Sequence, residues 1–233
     1  MSSARLTTIG FDADDTLWHN MKFYSLTEAR FTELLSAHAA VPHLAERLLA
    51  AERRNLRLYG FGIKGFTLSM VETAIEVTGG KVPAAVIADI LAAGREMLGH
   101  PVETLPFARE ALEALAGDYR LVLITKGDLF DQERKVAASG LGAYFAGVEI
   151  VSDKTAGTYE RIFARYEGPE RALMVGNSLK SDVVPALKAG AWGVHVPHEI
   201  DWAIEHEDEP EGEARYRQIK DLSGLAAVVE EIG

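Results

Sequence analysis

The chain contains no cysteine, which excludes disulfides, thiol nucleophiles and thiolate metal sites, and nothing in it implies an oxidising compartment. It also lacks an apolar run long enough to cross a bilayer, and Met1-Ser2-Ser3-Ala4-Arg5 leads into a strand-like stretch rather than a signal-peptide core. Positive charge is scarce: 24 Lys and Arg stand against 35 Asp and Glu, a formal charge of −11. That balance argues against an extended footprint for nucleic acid or an anionic membrane, while leaving room for a local cationic pocket. Internal repeats and long low-complexity segments are missing as well. The expectation is a soluble, cytoplasmic protein with no nucleic-acid or membrane partner. What is present is ordinary for a globular chain: 48% hydrophobic and 25% charged residues over 233 positions, enough for one large domain or a core domain plus a smaller one.

Residues 5–12 read as a first strand, and Ile9-Gly-Phe-Asp12-Ala-Asp14-Asp15-Thr16-Leu-Trp18 ends it abruptly in three acids and a threonine. Bunched carboxylates do not belong inside a strand, so their place at its end points to a loop that uses them. From Asn20 to about His100 the pattern is helical. A helix is expected from Phe23 to His38, with Phe31, Leu34 and Leu35 inward. Pro42 opens another, on which Leu44, Leu48, Ala51 and Leu58 share a face. Leu68, Val71 and Ile75 mark a third, and Pro83 opens a fourth with Val86, Ile90, Ala93 and Met97 in register.

After Pro101 strands and helices alternate. A helix follows Pro106, Arg120–Thr125 is a near-continuous apolar strand, and a helix covers 129–139. Further strands are expected at 147–151, 172–176, 192–196 and 216–219, and further helices at 158–166, 181–189 and from Ser223. This alternation predicts an α/β doubly wound parallel sheet, Rossmann-like, with an inserted all-helical subdomain. The division expected is 1–18 with 101–233 for the core and 19–100 for the helical insertion. The acidic run Glu205–Glu213 reads as a solvated loop.

Asp12 and Asp14 stand two positions apart where regular pleating ends, so both can be aimed at one point. A divalent cation would relieve their repulsion, and Mg²⁺ favours such hard oxygen ligands together with water and phosphate. With it, one carboxylate can attack phosphorus while the other handles protons.

Asp12-Ala-Asp14-Asp-Thr16-Leu17 resembles the first signature of the haloacid dehalogenase-like superfamily of phosphohydrolases, Asp-x-Asp-x-Thr. Leu123-Ile124-Thr125 resembles the second, a strand ending in Thr or Ser. Lys154 resembles the third, and Gly176-Asn177-Ser178-Leu-Lys-Ser-Asp182 the fourth. The signatures come in order at strand ends, and the helical insertion resembles the superfamily's cap.

The resemblance implies Mg²⁺ as cofactor, held by Asp12, Asp14, Asn177 and Asp182, the last directly or through water. It implies Asp12 as nucleophile forming an aspartyl-phosphate and Asp14 as acid and base. Thr125 would bind phosphate oxygens with Lys126 nearby, and Lys154 would place positive charge beside the nucleophile, with Lys180 as the alternative. The substrate implied is a small phosphorylated metabolite, and the assembly a monomer or homodimer. Dehalogenating members lack an acid at the second position, so Asp14 favours phosphoester hydrolysis.

Two departures stand out. Asn177 replaces a common metal-ligating Asp and offers only a neutral carbonyl oxygen, and Thr155 follows Lys154 where many relatives carry Pro. The alternatives are a hydrolytic 2-haloacid dehalogenase, which Asp14 disfavours, and a catalytically weak binding or scaffold protein, which Asn177 motivates. In the insertion, Tyr59–Phe66 reads as a glycine-rich loop from which Lys64, or Arg57 before it, would touch the substrate's distal part. Trp18 and His19 are expected at a hinge, Asp15 in a turn, and Thr16 as a loop-orienting residue. His195 and His198 read as packing or surface residues rather than ligands.

Overall fold

In the computed structural model, which describes residues 5–38, 42–200 and 202–233, six strands form one fully parallel sheet. The reading of Met1–Ala4 lies outside the described residues. The strands are β1 (Thr8–Phe11), β2 (Arg120–Lys126), β3 (Gly147–Val151), β4 (Ala172–Gly176), β5 (Trp192–His195) and β6 (Tyr216–Gln218), in the spatial order β3-β2-β1-β4-β5-β6. The chain builds outward from β1 to β3, then returns to lay β4 on the other side of β1. Phe11 pairs with Leu123 on one flank and Val175 on the other. The reversal leaves a crevice beyond the carboxyl ends of β1 and β4, the place where α/β sheets take their ligands.

Side-chain alternation explains why β2 is apolar from Leu121 to Ile124. Leu121 and Leu123 join Ile9, Phe11, Leu173 and Val175 in a core with α5 (Ala108–Leu115) and α9 (Leu225–Ile232). Val122 and Ile124 point the other way, into a second core with Tyr159, Ile162 and Phe163 of α7 (Ala156–Phe163) and Ala186 of α8 (Val184–Lys188). Helix α6 (Leu129–Ser139) follows β2. With both faces covered, apolar burial at roughly 25 cal/mol per Å² drives this part of the fold.

The chain divides into two compact units: residues up to Met21, Val102–Lys126 and Gln132–Gly233 form the α/β unit, and Lys22–Pro101 with Gly127–Asp131 the helical one. Helices α1 (Met21–Ser36), α2 (Leu44–Tyr59), α3 (Ile63–Val77) and α4 (Ala84–Gly99) supply the helical core, which includes Phe31, Leu35, Leu48, Phe66, Met70 and Ile90. On α4 the expected face is the buried one.

On α2 Leu44, Leu48 and Ala51 are buried as expected but Leu58 is not, and on α3 the expected face is not the buried one. Leu58 is 73% exposed, and buried Asn55 takes the inward turn, donating to Ser69 Oγ (3.1 Å) and Glu72 Oε2 (2.8 Å). Leu68 and Ile75 are exposed, while Phe66, Met70 and Ala74 face inward with Thr67, Ser69 and Thr73. Those three hydroxyls donate to the carbonyls four residues back, at 2.7, 2.9 and 2.7 Å, so the helix buries polar residues at little cost. Gly94 of α4 meets this face so closely that a Cβ would lie 2.2 Å from Thr67 Oγ1. The expected loop is also shorter, because Lys64, Gly65 and Phe66 already belong to the first turn of α3.

Candidate active site

Past Phe11 the chain turns at Asp15, whose φ of +61° is a left-handed conformation that Asp adopts more readily than most residues. Its carboxylate accepts the N–H groups of Asn20 (2.9 Å) and Met21 (3.0 Å) and so caps α1. Burial pushes the Asp15 carboxyl up to about 6 despite the opposing Asn20 bond.

Lys154, in the turn after β3, puts its ammonium between two carboxylates. It bonds Asp12 Oδ1 and lies 2.6 Å from Asp182 Oδ1, and the three side chains are at most 9% exposed. One ammonium cannot fully balance two buried carboxylates. Burial and the Asp182 charge push the Asp12 carboxyl up to about 7, with Lys154 opposing them. Burial works against the Lys154 charge too, but Asp12 and Asp182 outweigh it and hold the ammonium above its ordinary range. Lys180, the alternative, instead donates to the Ile204 carbonyl at 2.7 Å.

Asp182 is delivered by an irregular turn where sequence reasoning expects an ordinary helix start. Leu179–Val183 forms a π turn in which the Val183 N–H reaches back to the Ser178 carbonyl (3.2 Å). Pro185 has no N–H to offer the Ser181 carbonyl four residues earlier, and the Tyr159 hydroxyl donates to it instead, at 3.0 Å. Such π insertions recur at functional sites. Asp182 Oδ2 accepts the Ser178 N–H (3.0 Å), and Gly176 is required beneath it because a Cβ there would lie 2.2 Å from that oxygen.

Asp14 is housed differently. Its carboxylate takes Lys135 Nζ (2.9 and 3.0 Å), Gln132 Nε2 (2.8 Å) and Trp18 Nε1 (2.7 Å), and Lys135 also donates to Asn20 Oδ1 (2.9 Å). Gln132, Lys135 and the indole of Trp18 are the contributors that sequence reasoning missed. The available signal was the polar stripe on α6, where Asp131, Gln132, Lys135 and Ser139 are all buried.

Thr125 is buried at the end of β2. The next residue, Lys126, pairs with Glu205 Oε1 and Ser181 Oγ, both at 2.5 Å. This corrects the reading of Glu205 as part of a solvated loop. In the helical unit, Lys64 pairs with Asp128 (2.9 Å) and Arg57 is exposed in the last turn of α2. His195 Nε2 lies 3.0 Å from the Asn177 carbonyl, and His198 faces Asp15 at 3.6 Å.

Asn177 turns its amide toward oxygens. With nitrogen inward it donates to the Asp14 carbonyl (3.1 Å), Asp12 Oδ2 (3.2 Å) and Thr16 Oγ1 (3.3 Å). Among the described residues no three His, Asp or Glu side chains gather as a metal set. The oxygens here are of another kind: one carboxylate, one main-chain carbonyl and one amide. Adjacent oxygens around an octahedral Mg²⁺ with bonds of about 2.1 Å are about 3.0 Å apart, close to the 3.1 and 3.2 Å edges seen here once the amide turns its oxygen inward. With all groups ionised, Asp12, Asp14, Asp15 and Asp182 against Lys135 and Lys154 also leave two negative charges uncompensated. Mg²⁺ therefore fits this strand end, on Asp12, the Asp14 carbonyl and Asn177. Asp182 has both oxygens engaged by Lys154 and Ser178.

The family model for haloacid dehalogenase-like hydrolases matches residues 6–190. No curated protein matches the chain. Among solved structures, a haloacid dehalogenase-like family hydrolase from Xanthomonas campestris is 44% identical, with 100% of this chain and 94% of that one covered and a TM-score of 0.88. Two more distant structures share the fold. A 2-haloacid dehalogenase from Pseudomonas syringae is 20% identical over 98% of this chain and 100% of its own, with a TM-score of 0.66. A predicted phosphoglycolate phosphatase from Haemophilus somnus is 18% identical over 97% and 98%, with a TM-score of 0.65. One architecture thus carries differently named activities, and on its family match and its signature residues this chain belongs to the haloacid dehalogenase-like hydrolases.

Proposed function

We propose that this hydrolase is a Mg²⁺-dependent phosphomonoesterase that cleaves a small phosphorylated metabolite through an aspartyl-phosphate on Asp12. The supporting observation is Asp14, a second carboxylate two residues on and gripped by Lys135, Gln132 and Trp18. Halide leaves carbon without a proton, whereas an alkoxide leaving phosphorus needs one.

Asp12 is tied by Lys154, which fixes the carboxylate for attack on phosphorus. As the phosphorus–oxygen bond to the alcohol breaks, protonated Asp14 gives its proton to the departing oxygen. The same carboxylate then takes a proton from water, which attacks the phosphoryl group, frees phosphate and restores Asp12. Lys154 stabilises charge on the phosphoryl oxygens, and Thr125 binds one of them. Mg²⁺, when bound, supplies further positive charge there and favours the ionised form of Asp12. Arg57 and Lys64 are proposed contacts for the substrate's distal part.

A metal-free haloacid dehalogenase is the second reading, favoured by the Asn177 amide satisfying Asp12 and the Asp14 carbonyl by itself. The two separate in one assay, hydrolysis of p-nitrophenyl phosphate and of 2-chloropropionate with Mg²⁺ or with EDTA. Phosphate release should require Mg²⁺ and fall roughly 10⁴-fold in Asp12→Asn. Chloride release indifferent to EDTA, without phosphate release, would overturn the phosphatase.

A further inference from the structure

We propose that Lys126, Ser178 and Ser181 form an oxyanion-binding cradle for a phosphoryl group of the substrate, and that Glu205 of the same chain fills it until that group arrives. The inference deepens the phosphatase reading and rests on it for the class of ligand.

Glu205 belongs to the connection between His195, which ends β5, and Tyr216, which begins β6, a stretch with no helix or strand among its described residues. A structureless connection of this length is uncommon inside a compact unit and usually serves a function. Its acids divide sharply. Glu207, Asp208, Glu209, Glu211 and Glu213 are exposed, whereas the Glu205 side chain is drawn in to 13% exposure. There Oε1 meets Lys126 Nζ at 2.5 Å, and Oε2 accepts from Ser178 Oγ at 2.7 Å and from Ser181 Oγ. An ammonium and two hydroxyls converging on two oxygens is the donor set that a carboxylate or phosphate takes in charge-assisted bonds. Burial pushes the Glu205 carboxyl up, but Lys126 and the two hydroxyls outweigh it and hold it below the usual range, so the resident group is an anion.

The cradle's place in the chain makes it more than a strap for a loop. Lys126 follows Thr125, Ser178 follows Asn177, and Ser181 precedes Asp182, which is bonded to Lys154. Each cradle donor is the chain neighbour of a residue from the second or the fourth signature, and all stand at the carboxyl edge of the sheet. A carboxylate held there competes with an incoming phosphoryl group. It discriminates against neutral compounds and weakens the apparent affinity for anionic ones.

Calorimetric titration with inorganic phosphate, in the presence of Mg²⁺, tests this on the intact chain. Glu205→Gln should bind phosphate at least tenfold more tightly than the unaltered protein, and Glu205→Gln with Lys126→Met should lose that gain. Equal or weaker binding by Glu205→Gln would overturn the proposal and leave Glu205 as a loop anchor. If Glu205→Gln does not fold, hydrogen exchange of the unaltered protein decides: saturating phosphate should speed exchange in 197–215, and unchanged or slower exchange would overturn it. Neither readout needs turnover. Tighter binding in a protein that hydrolyses no aryl phosphate would refute the phosphatase and keep the cradle, and hydrolysis without the gain would do the reverse.

Discussion

Asp12 and Asp14 are the same residue type, two positions apart on one strand end, and the fold houses them in opposite ways. Asp12 shares a single ammonium with Asp182, and its carboxyl is pushed up to about 7 by burial and that neighbouring charge. Asp14 instead meets an ammonium, an amide and an indole N–H of its own. An under-balanced carboxylate is poised to accept more positive charge, as a nucleophile that must meet a cation and a phosphoryl group would be. A fully engaged one is held in place, which suits a residue that must meet the leaving oxygen in one orientation. The contrast shows how neighbouring acids acquire different tasks from their surroundings alone.

The sharpest way to break this contrast is Asp14→Asn, which keeps the shape and removes the proposed proton carrier. Hydrolysis of an alkyl phosphate should fall by about 10²–10⁴, and that of p-nitrophenyl phosphate less, because its leaving group needs little protonation. Equal losses on both would show that Asp14 positions rather than protonates. Lys135→Met attacks the support: leaving Asp14 without its ammonium should cost about 3 kcal/mol in denaturant titrations and lower kcat more than it raises KM.

The Asp12 side makes a prediction about pH. Its folded value of about 7 exceeds the ordinary 3.8, so the folded state holds the extra proton between those values. Without metal, stability should be greatest below about pH 4 as far as this group is concerned and decline as pH rises through 7, by up to roughly 1.4 kcal/mol per pH unit. Asp12→Asn should flatten that decline in thermal melts, and an unchanged slope would place the charge imbalance elsewhere. The smallest effect is expected of Asn177→Asp, which restores a charged oxygen beside Asp12. Calorimetry should show Mg²⁺ binding tightened by about tenfold, or about 1.4 kcal/mol.

The sheet was legible because β1, β2 and β4 carry buried apolar runs closed by turn residues. β3 and β4 stand where alternation puts them, and Asp12, Lys154 and Asp182 meet although far apart in sequence. What escaped was polar chemistry satisfied out of sight of periodicity. Thr67, Ser69 and Thr73 bury because their own helix accepts their hydroxyls, so the inward face of α3 does not read as apolar. Gln132 and Lys135 escaped because their partner, Asp14, lies more than a hundred residues earlier. Glu205 was hidden by the company of five acids that do face water.

The bond from the Trp18 indole to Asp14, at 2.7 Å within a side chain only 1% exposed, has an optical consequence. An indole N–H that donates to a carboxylate absorbs and emits differently when that carboxylate takes up a proton. Replacing Trp192 and Trp202 by Phe would leave Trp18 as the sole tryptophan, excited apart from the tyrosines at long wavelength. The protein then carries its own label-free gauge of the Asp14 proton, readable during turnover.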